Sequence, residues 1–140
     1  MGRALDTYSK NLPFEQAAQF RNLVIRNIEM QKYAGGYKPY HEEYAKNKLR
    51  KVGHLRFWIL TGDMLGSILM VKTDRGWVVR FGGSLHSMKA HILEFGGVYA
   101  GRLHPARPVF GPTRTEFRLG VMKKSLKKVA NRIRSIWRAK

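Results

Sequence analysis

Apolar residues recur at helical spacing in the first third of the chain. They lie three or four positions apart and are Ala17, Phe20, Val24 and Ile28. This spacing predicts an amphipathic helix from about Pro13 to Tyr33. Pro13 suits the first helical turn, and the pair Gly35-Gly36 ends the pattern. A second, shorter helix is predicted over residues 41–51 after a proline-containing connector.

The middle of the chain changes to a pattern typical of strands. Residues 67–73 and 77–81 are rich in valine, isoleucine, leucine and aromatic residues. Between them, Asp74-Arg75-Gly76 has the length and the glycine of a three-residue hairpin loop. Alternation along the second strand places Trp77, Val79 and Phe81 on one face and Val78 and Arg80 on the other. Because both strands are apolar at most positions, we expect helices to cover one face of this sheet and a partner to cover the other. The preceding apolar run, Phe57–Leu60, fits either a strand or a buried turn.

The segment from His86 to Pro112 predicts a protruding loop on a rigid base. Met88–Phe95 is an apolar run long enough for about two helical turns, and Gly96-Gly97 ends it. The flexible segment Val98–Leu103 follows. Pro105-Ala106-Arg107-Pro108 then forms a stiff, extended return, because each proline fixes its own φ and keeps the preceding residue out of the helical region. Apolar side chains on such a loop indicate a contact with another subunit or ring. The predicted contact residues are Gly96, Gly97, Val98, Tyr99, Leu103, Pro105, Arg107 and Pro108.

The last part of the chain, Thr113–Ala139, has the pattern of one long helix with an apolar stripe and a basic remainder. The stripe consists of Phe117, Met122, Leu126, Val129, Ile133 and Ile136 with Trp137. No acidic residue follows Glu116. Two interpretations remain open: a solvated face on a packed helix, or a positive surface along a DNA path. The candidate DNA-contacting residues are Lys123, Lys124, Lys127, Lys128, Arg132, Arg134 and Arg138. The second interpretation requires Leu126, Val129 and Ile133 to be buried on the opposite side of the helix.

These elements predict an α+β fold in which helices flank a small antiparallel β-sheet. The chain has 140 residues, enough for one domain with its own core, here residues 13–140 after a polar N-terminal arm over residues 1–12. There is no cysteine, which excludes disulfides, thiol catalysis and cysteine-based metal sites. The sequence has no signal peptide and no run of eighteen apolar residues, so we expect a soluble protein made in the cytoplasm, with no membrane partner.

Charge is the strongest compositional feature. The chain has 27 lysines and arginines against 9 acidic residues, a formal net charge of +18. Such a charge attracts polyanions or acidic protein surfaces and opposes self-association at low salt. Nucleic acid nearby is a reasonable inference, whereas sequence-specific binding does not follow.

Catalytic and metal-binding patterns are missing from the sequence. None of the histidines, His41, His54, His86, His91 and His104, forms the helical i, i+4 pair with carboxylates that a zinc site favours. The acids are scattered, the serines lack a nucleophile context, and the glycine pairs lack the phosphate-binding spacing. We therefore predict no enzyme activity, no metal and no cofactor.

Three motifs in order resemble the virion-morphogenesis proteins of tailed bacteriophages, the family that joins heads to tails or completes tails. A basic lead-in, Tyr44–Arg50, is followed by Leu60-Thr61-Gly62-Asp63-Met64-Leu65-Gly66-Ser67-Ile68, which resembles that family's turn into a strand. Ala90–Gly97 is similar to its short helix ending in phenylalanine-glycine. Pro105–Gly111 is similar to its proline-alanine-arginine-proline signature. The resemblance covers roughly Tyr44 to Gly120, and the glycine-rich loop and the basic tail depart from it.

The resemblance implies a structural protein of the phage neck without catalysis. It implies a ring, most simply a hexamer or otherwise a dodecamer, between the portal-side connector or stopper and the tail-tube proteins. The protein would reside in the virion and make transient, sequence-independent contact with genomic DNA in the channel. The alternative is a basic nucleic-acid-binding protein that acts as a monomer or dimer. A third function, a small phage nuclease, would need a metal cluster or paired carboxylates that the sequence does not offer.

Overall fold

A computed structural model describes residues 12–58 and 62–138. In chain order, the elements begin with α1 (Phe14–Glu29), a 3₁₀ turn (Ala34–Gly36), α2 (Glu42–Val52) and α3 (Asp63–Gly66). The hairpin β1 (Ile68–Thr73) and β2 (Gly76–Phe81) follows. The chain continues with α4 (Ser84–Phe95), β3 (Gly97–Tyr99), β4 (Arg102–His104) and the long α5 (Phe110–Arg138). The fold is α+β, as the sequence predicts.

The hydrophobic core lies between α1, the β1–β2 hairpin and the start of α5. The four periodic positions of α1 are buried, which confirms its predicted face. From the strands, Ile68, Val79 and Phe81 join them, and from α5 Phe110 does. Phe81 and Phe110 lie 5.4 Å apart between ring centres, and Phe110 also contacts the rings of Phe20 and Trp58. Phe110 therefore packs the first turn of α5 against the centre of the core.

The β1–β2 hairpin is antiparallel, with Ile68 opposite Phe81 and Met70 opposite Val79. Its turn is tighter than predicted, since Gly76 pairs with Thr73 and leaves only Asp74 and Arg75 between the strands. Helix α1 packs across the hairpin, which confirms that helices cover one face. Coverage of the other face by a partner stays a prediction.

The boundaries of several elements differ from the prediction. Helix α1 ends at Glu29, and α4 begins at Ser84, four residues before the apolar run. Residues 1–11 of the predicted arm lie outside the described residues, and Leu12 pairs with Trp77 through two backbone hydrogen bonds of 2.9 and 3.2 Å. In the Phe57–Leu60 run, Phe57 and Trp58 form a turn with Trp58 buried, and residues 59–60 lie outside the described part.

A polar network joins α1 to α5 one turn beyond Phe110. The buried amide nitrogen of Asn27 lies 3.0 Å from both Thr113 Oγ1 and Glu116 Oε2. Glu116 also accepts hydrogen bonds from the Tyr33 hydroxyl at 2.8 Å and from Lys32 Nζ at 2.6 Å. Burial opposes ionisation of Glu116, but the hydrogen bonds from Lys32, Tyr33 and Asn27 outweigh it and lower its pKa. The network fixes the direction in which α5 leaves the body.

The N-terminus of α5 is capped by a side chain from another helix. The buried carboxylate of Glu94, near the end of α4, accepts the backbone N–H groups of Val109, Phe110 and Gly111 at 2.8, 3.0 and 2.8 Å. Helix N-termini carry unpaired N–H groups and a partial positive charge. A carboxylate accepts hydrogen bonds from these N–H groups, and its negative charge interacts favourably with the partial positive charge. Burial raises the pKa of Glu94, and the three N–H groups act in the opposite direction.

We expect replacement of Glu94 to destabilise the fold in a graded way. Glu94→Gln keeps one acceptor oxygen but presents an NH₂ group to an N–H donor, which should cost about 1–3 kcal/mol. Glu94→Ala leaves all three N–H groups buried without a partner and should cost about 3–5 kcal/mol. Urea denaturation followed by circular dichroism measures both. Equal stability of the alanine variant and the wild type would show that the cap does not hold α5.

Candidate interaction surfaces

The Pro105–Pro108 segment is held from both sides by the body of the protein. The backbone N–H of Arg107 donates to Leu93 O at 2.6 Å, and its carbonyl accepts the indole N–H of Trp58 at 2.7 Å. The hydroxyl of Tyr37 donates to the carbonyl of Pro108 at 2.6 Å. The stiff return predicted from the two prolines is therefore anchored at Arg107 and Pro108.

The side chain of Arg107 points inward, so its predicted role as a contact residue is wrong. Arg107 is 3% exposed, and its guanidinium lies 4.6 Å from the ring centre of Tyr40 and 5.0 Å from that of Phe57. It donates to the carbonyl of Lys38 at 3.2 Å. The cation–π contacts explain the burial, because aromatic faces replace part of the lost hydration of the guanidinium. Arg107 ties the return segment to the α1–α2 connector.

A second buried cation shares the Tyr40 ring. Lys48 Nζ lies 4.7 Å from the ring centre, and it donates to the Tyr40 hydroxyl at 3.1 Å and to the carbonyl of Arg56. Lys48 is also 3% exposed. Burial, together with the charge of Arg107, lowers the pKa of Lys48 from 10.5 to about 8. This polar cluster is structural, since its cations face inward.

The predicted flexible loop between Gly97 and His104 is instead a short β-hairpin. Val98 of β3 pairs with Leu103 of β4, and Ala100 and Gly101 form the turn, both with positive φ. Positive φ at both central residues is the requirement of the tight turn that suits strand twist. At its base, a Cβ on Gly96 would lie 3.1 Å from His104 O and from Ala106 N, so glycine lets the hairpin approach the return segment.

The outer face of the β3–β4 hairpin is apolar. Val98 and Leu103 are directly opposite in the pairing, so they share a face, and they are 68% and 80% exposed. The other face carries Tyr99, whose ring lies 6.1 Å from that of His104. The structure therefore presents two of the predicted contact residues, Val98 and Leu103, at the surface. Gly96, Gly97, Tyr99, Pro105 and Pro108 are half-buried and support the hairpin.

The apolar stripe of α5 is uncovered, which corrects the expectation that Leu126, Val129 and Ile133 are buried. From Met122 to Arg138 every residue of α5 is exposed. Only the first turns of the helix pack on the body, through Phe110, Thr113 and, in part, Phe117. The remaining seventeen positions extend about 25 Å at 1.5 Å per residue. The predicted DNA-contacting cations, Lys123 to Arg138, all lie on this exposed length.

No three histidine, aspartate or glutamate side chains come together at metal-binding distance among residues 12–58 and 62–138. The cavity bounded by Tyr37, Phe57, Trp58 and Val109 has a volume of about 10 Å³, room for about one water molecule. Within the same described ranges, none of the helices has the length and apolar character needed to cross a membrane.

Comparisons with known proteins give no relative. The chain matches no protein-family model, no curated protein and no solved structure. Any functional conclusion therefore depends on the motifs and on the surfaces described above.

The inward-facing charges of Glu94, Lys48 and Arg107 are not predicted by the sequence pattern. Glu94 follows the buried Ala90 by four positions in α4, so a carboxylate on the buried face of that helix was the available signal. For Lys48 and Arg107 the signal is weaker. Tyr40 and Tyr44 precede Lys48 in the chain, but only the fold shows that the rings of Tyr40 and Phe57 meet these cations.

The buried Lys48 predicts how stability depends on pH. A lysine pKa that is lowered on folding means that the unfolded chain binds more protons between pH 8 and 10, so the free energy of unfolding should rise through that range. The slope for one proton is at most about 1.4 kcal/mol per pH unit. Above pH 10 the raised tyrosine pKa values, about 12 for Tyr33 and Tyr40, reverse the trend.

The variant Lys48→Met isolates this contribution, because methionine keeps the length of the side chain without the charge. We expect the variant to be at least as stable as the wild type at pH 7 and to lose the part of the rise that belongs to one proton. Urea denaturation at a series of pH values measures the difference. Identical pH profiles for the two proteins would exclude a lowered pKa for Lys48.

Proposed function

We propose that this chain is a structural protein of a tailed-bacteriophage neck that forms a ring joining the head connector to the tail. The observation that carries the proposal is the apolar β3–β4 hairpin, which projects from a rigidly anchored base. Val98 and Leu103 are more than two-thirds exposed, whereas Arg107 just beyond them is buried. Two apolar side chains paired on one face of an ordered hairpin are a suitable contact surface for a joining element.

The three motifs behind the family resemblance support the proposal through their position. Gly62, with a φ of 89°, leads into the turn before β1. Ala90 and Glu94 are the buried positions of α4, and Arg107 anchors the return segment. The motif residues thus hold the base of the hairpin in place.

The basic α5 helix supports a place beside DNA. Its seven candidate cations, Lys123, Lys124, Lys127, Lys128, Arg132, Arg134 and Arg138, lie along one exposed helix. In a channel they would offset phosphate repulsion by weak, salt-sensitive contacts that do not depend on sequence. Tight binding would oppose movement of the genome, so many weak contacts suit this role.

The second candidate function is a basic nucleic-acid-binding protein that acts as a monomer or dimer. The net charge of +18 favours it. The exposed apolar hairpin does not, because contacts to phosphate require neither Val98 nor Leu103.

The oligomeric state separates the two functions. The neck protein should form a discrete closed multimer, most simply a hexamer, that persists after nuclease treatment and in 1 M salt, where charges are screened beyond about 3 Å. Sedimentation velocity and native mass spectrometry measure this. A protein that remains monomeric in high salt and at high concentration, and that associates only when DNA is added, would favour the second function.

The hairpin is tested by the double variant Val98→Thr with Leu103→Thr. Threonine keeps the strand preference but replaces the apolar surface, so the protein should fold normally. We expect the multimer to weaken by about tenfold or more in dissociation constant, because two apolar contacts are lost.

Arg102→Gln on the same hairpin is the matched control, since Arg102 lies outside the Val98–Leu103 pair. It should assemble like the wild type. If the double threonine variant assembles as tightly as the wild type, the hairpin is not part of the joining surface.

A further inference from the structure

The exposed stripe of α5 has the spacing of a helix-packing seam. Its members are Leu119, Met122, Leu126, Val129, Ile133 and Ile136, separated alternately by three and four residues. This alternation is the heptad pattern by which one helix inserts its side chains between those of another. All six are exposed, between 48% and 62%. They form a straight seam about 26 Å long at 1.5 Å per residue.

Cations border the seam on both sides. At 100° per residue, Lys123 lies along one edge, and Arg118 and Arg132 lie along the other. The remaining cations, among them Lys124 and Lys128, lie on the opposite side of the helix. The described part of α5 contains no acid beyond Glu116, which is already bound to Lys32. The seam therefore presents apolar side chains whose charged neighbours along both edges are all positive.

A second copy of this chain does not complement the seam. Two α5 helices packed seam to seam would place cations along both borders, and like charges in these positions destabilise the pair. Among the other described residues, the exposed carboxylates are scattered: Glu15 and Glu29 lie at opposite ends of α1, and Asp74 lies in the β1–β2 turn. Glu94 is buried, Glu42 pairs with Lys46 at 2.6 Å, and Glu43 lies 3.9 Å from Arg102.

We propose that the α5 seam docks on a different protein, into an apolar groove or against a helix whose borders carry carboxylates. The apolar stripe provides the contact area, and Arg118, Lys123 and Arg132 select acidic borders over basic ones. The inference goes beyond the proposed function, because it assigns the seam side of α5 to an acidic protein partner and leaves only the opposite side for phosphate. The inference uses only the spacing, exposure and charges of the α5 side chains, so it applies whether or not the chain forms a ring.

The experiment uses the full chain and a synthetic probe. The probe is a fluorescent 21-residue helical peptide with leucine at the first and fourth positions of each heptad and glutamate at the fifth and seventh. One comparison peptide has the same composition in scrambled order, and another has lysine in place of the glutamates. We expect the acid-bordered helix to bind at least about tenfold more tightly than either comparison peptide, with an affinity that falls as salt rises.

Two variants locate the binding on the helix. Leu126→Gln with Ile133→Gln removes two seam residues, and Lys124→Gln with Lys128→Gln removes two cations from the far side. Because all four side chains are exposed and glutamine is a good helix former, both proteins should melt like the wild type. The seam variant should lose at least about tenfold in peptide affinity, and the far-side variant less than about threefold.

Other occupants of the seam would overturn the inference. One such outcome is self-association of the wild type that the seam variant loses, measured by sedimentation. Another is seam-dependent binding to vesicles of phosphatidylglycerol and phosphatidylcholine without preference for the acid-bordered peptide. A third is seam-dependent binding to a 20-base-pair DNA duplex with the same lack of preference. Equal binding of the acid-bordered and scrambled peptides would also exclude the proposal.

The peptide-binding assay and the oligomeric-state assay test the two proposals independently. If the acid-bordered peptide does not bind but the multimer forms normally, the inference of an acidic partner is wrong and the ring proposal stands. If the protein stays monomeric but binds the acid-bordered peptide through the seam, the ring proposal is wrong and the inference of an acidic partner stands.

Discussion

The carboxylate of Glu94 is the contact on which the arrangement of the protein depends. It accepts three backbone N–H groups where the return segment becomes α5, and it is buried. An ionised group is placed in the interior only where several donors compensate for lost hydration. Since Glu94 comes from α4 and the N–H groups come from Val109 to Gly111, this contact joins the helix before the β3–β4 hairpin to the helix after it. The hairpin is thereby closed at its base.

The polar groups of the body are used for internal attachment. Arg107 and Lys48 share the Tyr40 ring, and Asn27 meets Glu116 between α1 and α5. These side chains fix the return segment and the first turns of α5 with hydrogen bonds that point inward. The consequence is an unusual distribution, because several charged residues lie inside while Val98, Leu103 and the α5 seam lie outside.

The two exposed apolar surfaces make different demands on a partner. The hairpin presents a small tip of two side chains, which suits insertion between neighbouring subunits. The α5 seam is about 26 Å long at 1.5 Å per residue and has a positive border, so it suits an elongated acidic surface. The net charge of +18 acts on both, since it opposes contact between copies at low salt and favours contact with acidic surfaces.

The sequence determined the local features of this fold, and the tertiary structure decided which surfaces are covered. Periodicity was sufficient for the buried face of α1, for the faces of β2 and for the end of α4 at Gly96, because each depends on residues close in the chain. The turn at Ala100-Gly101 was missed, since alanine rarely adopts a positive φ without strand pairing to require it. The inward positions of Glu94, Lys48 and Arg107 depend on partners 8 to 69 residues away, and no local pattern encodes them. An apolar stripe such as that of α5 predicts burial, yet burial also needs an element to lie against it. Among the described residues, the packed body ends near Val121, so no described element covers the stripe beyond it.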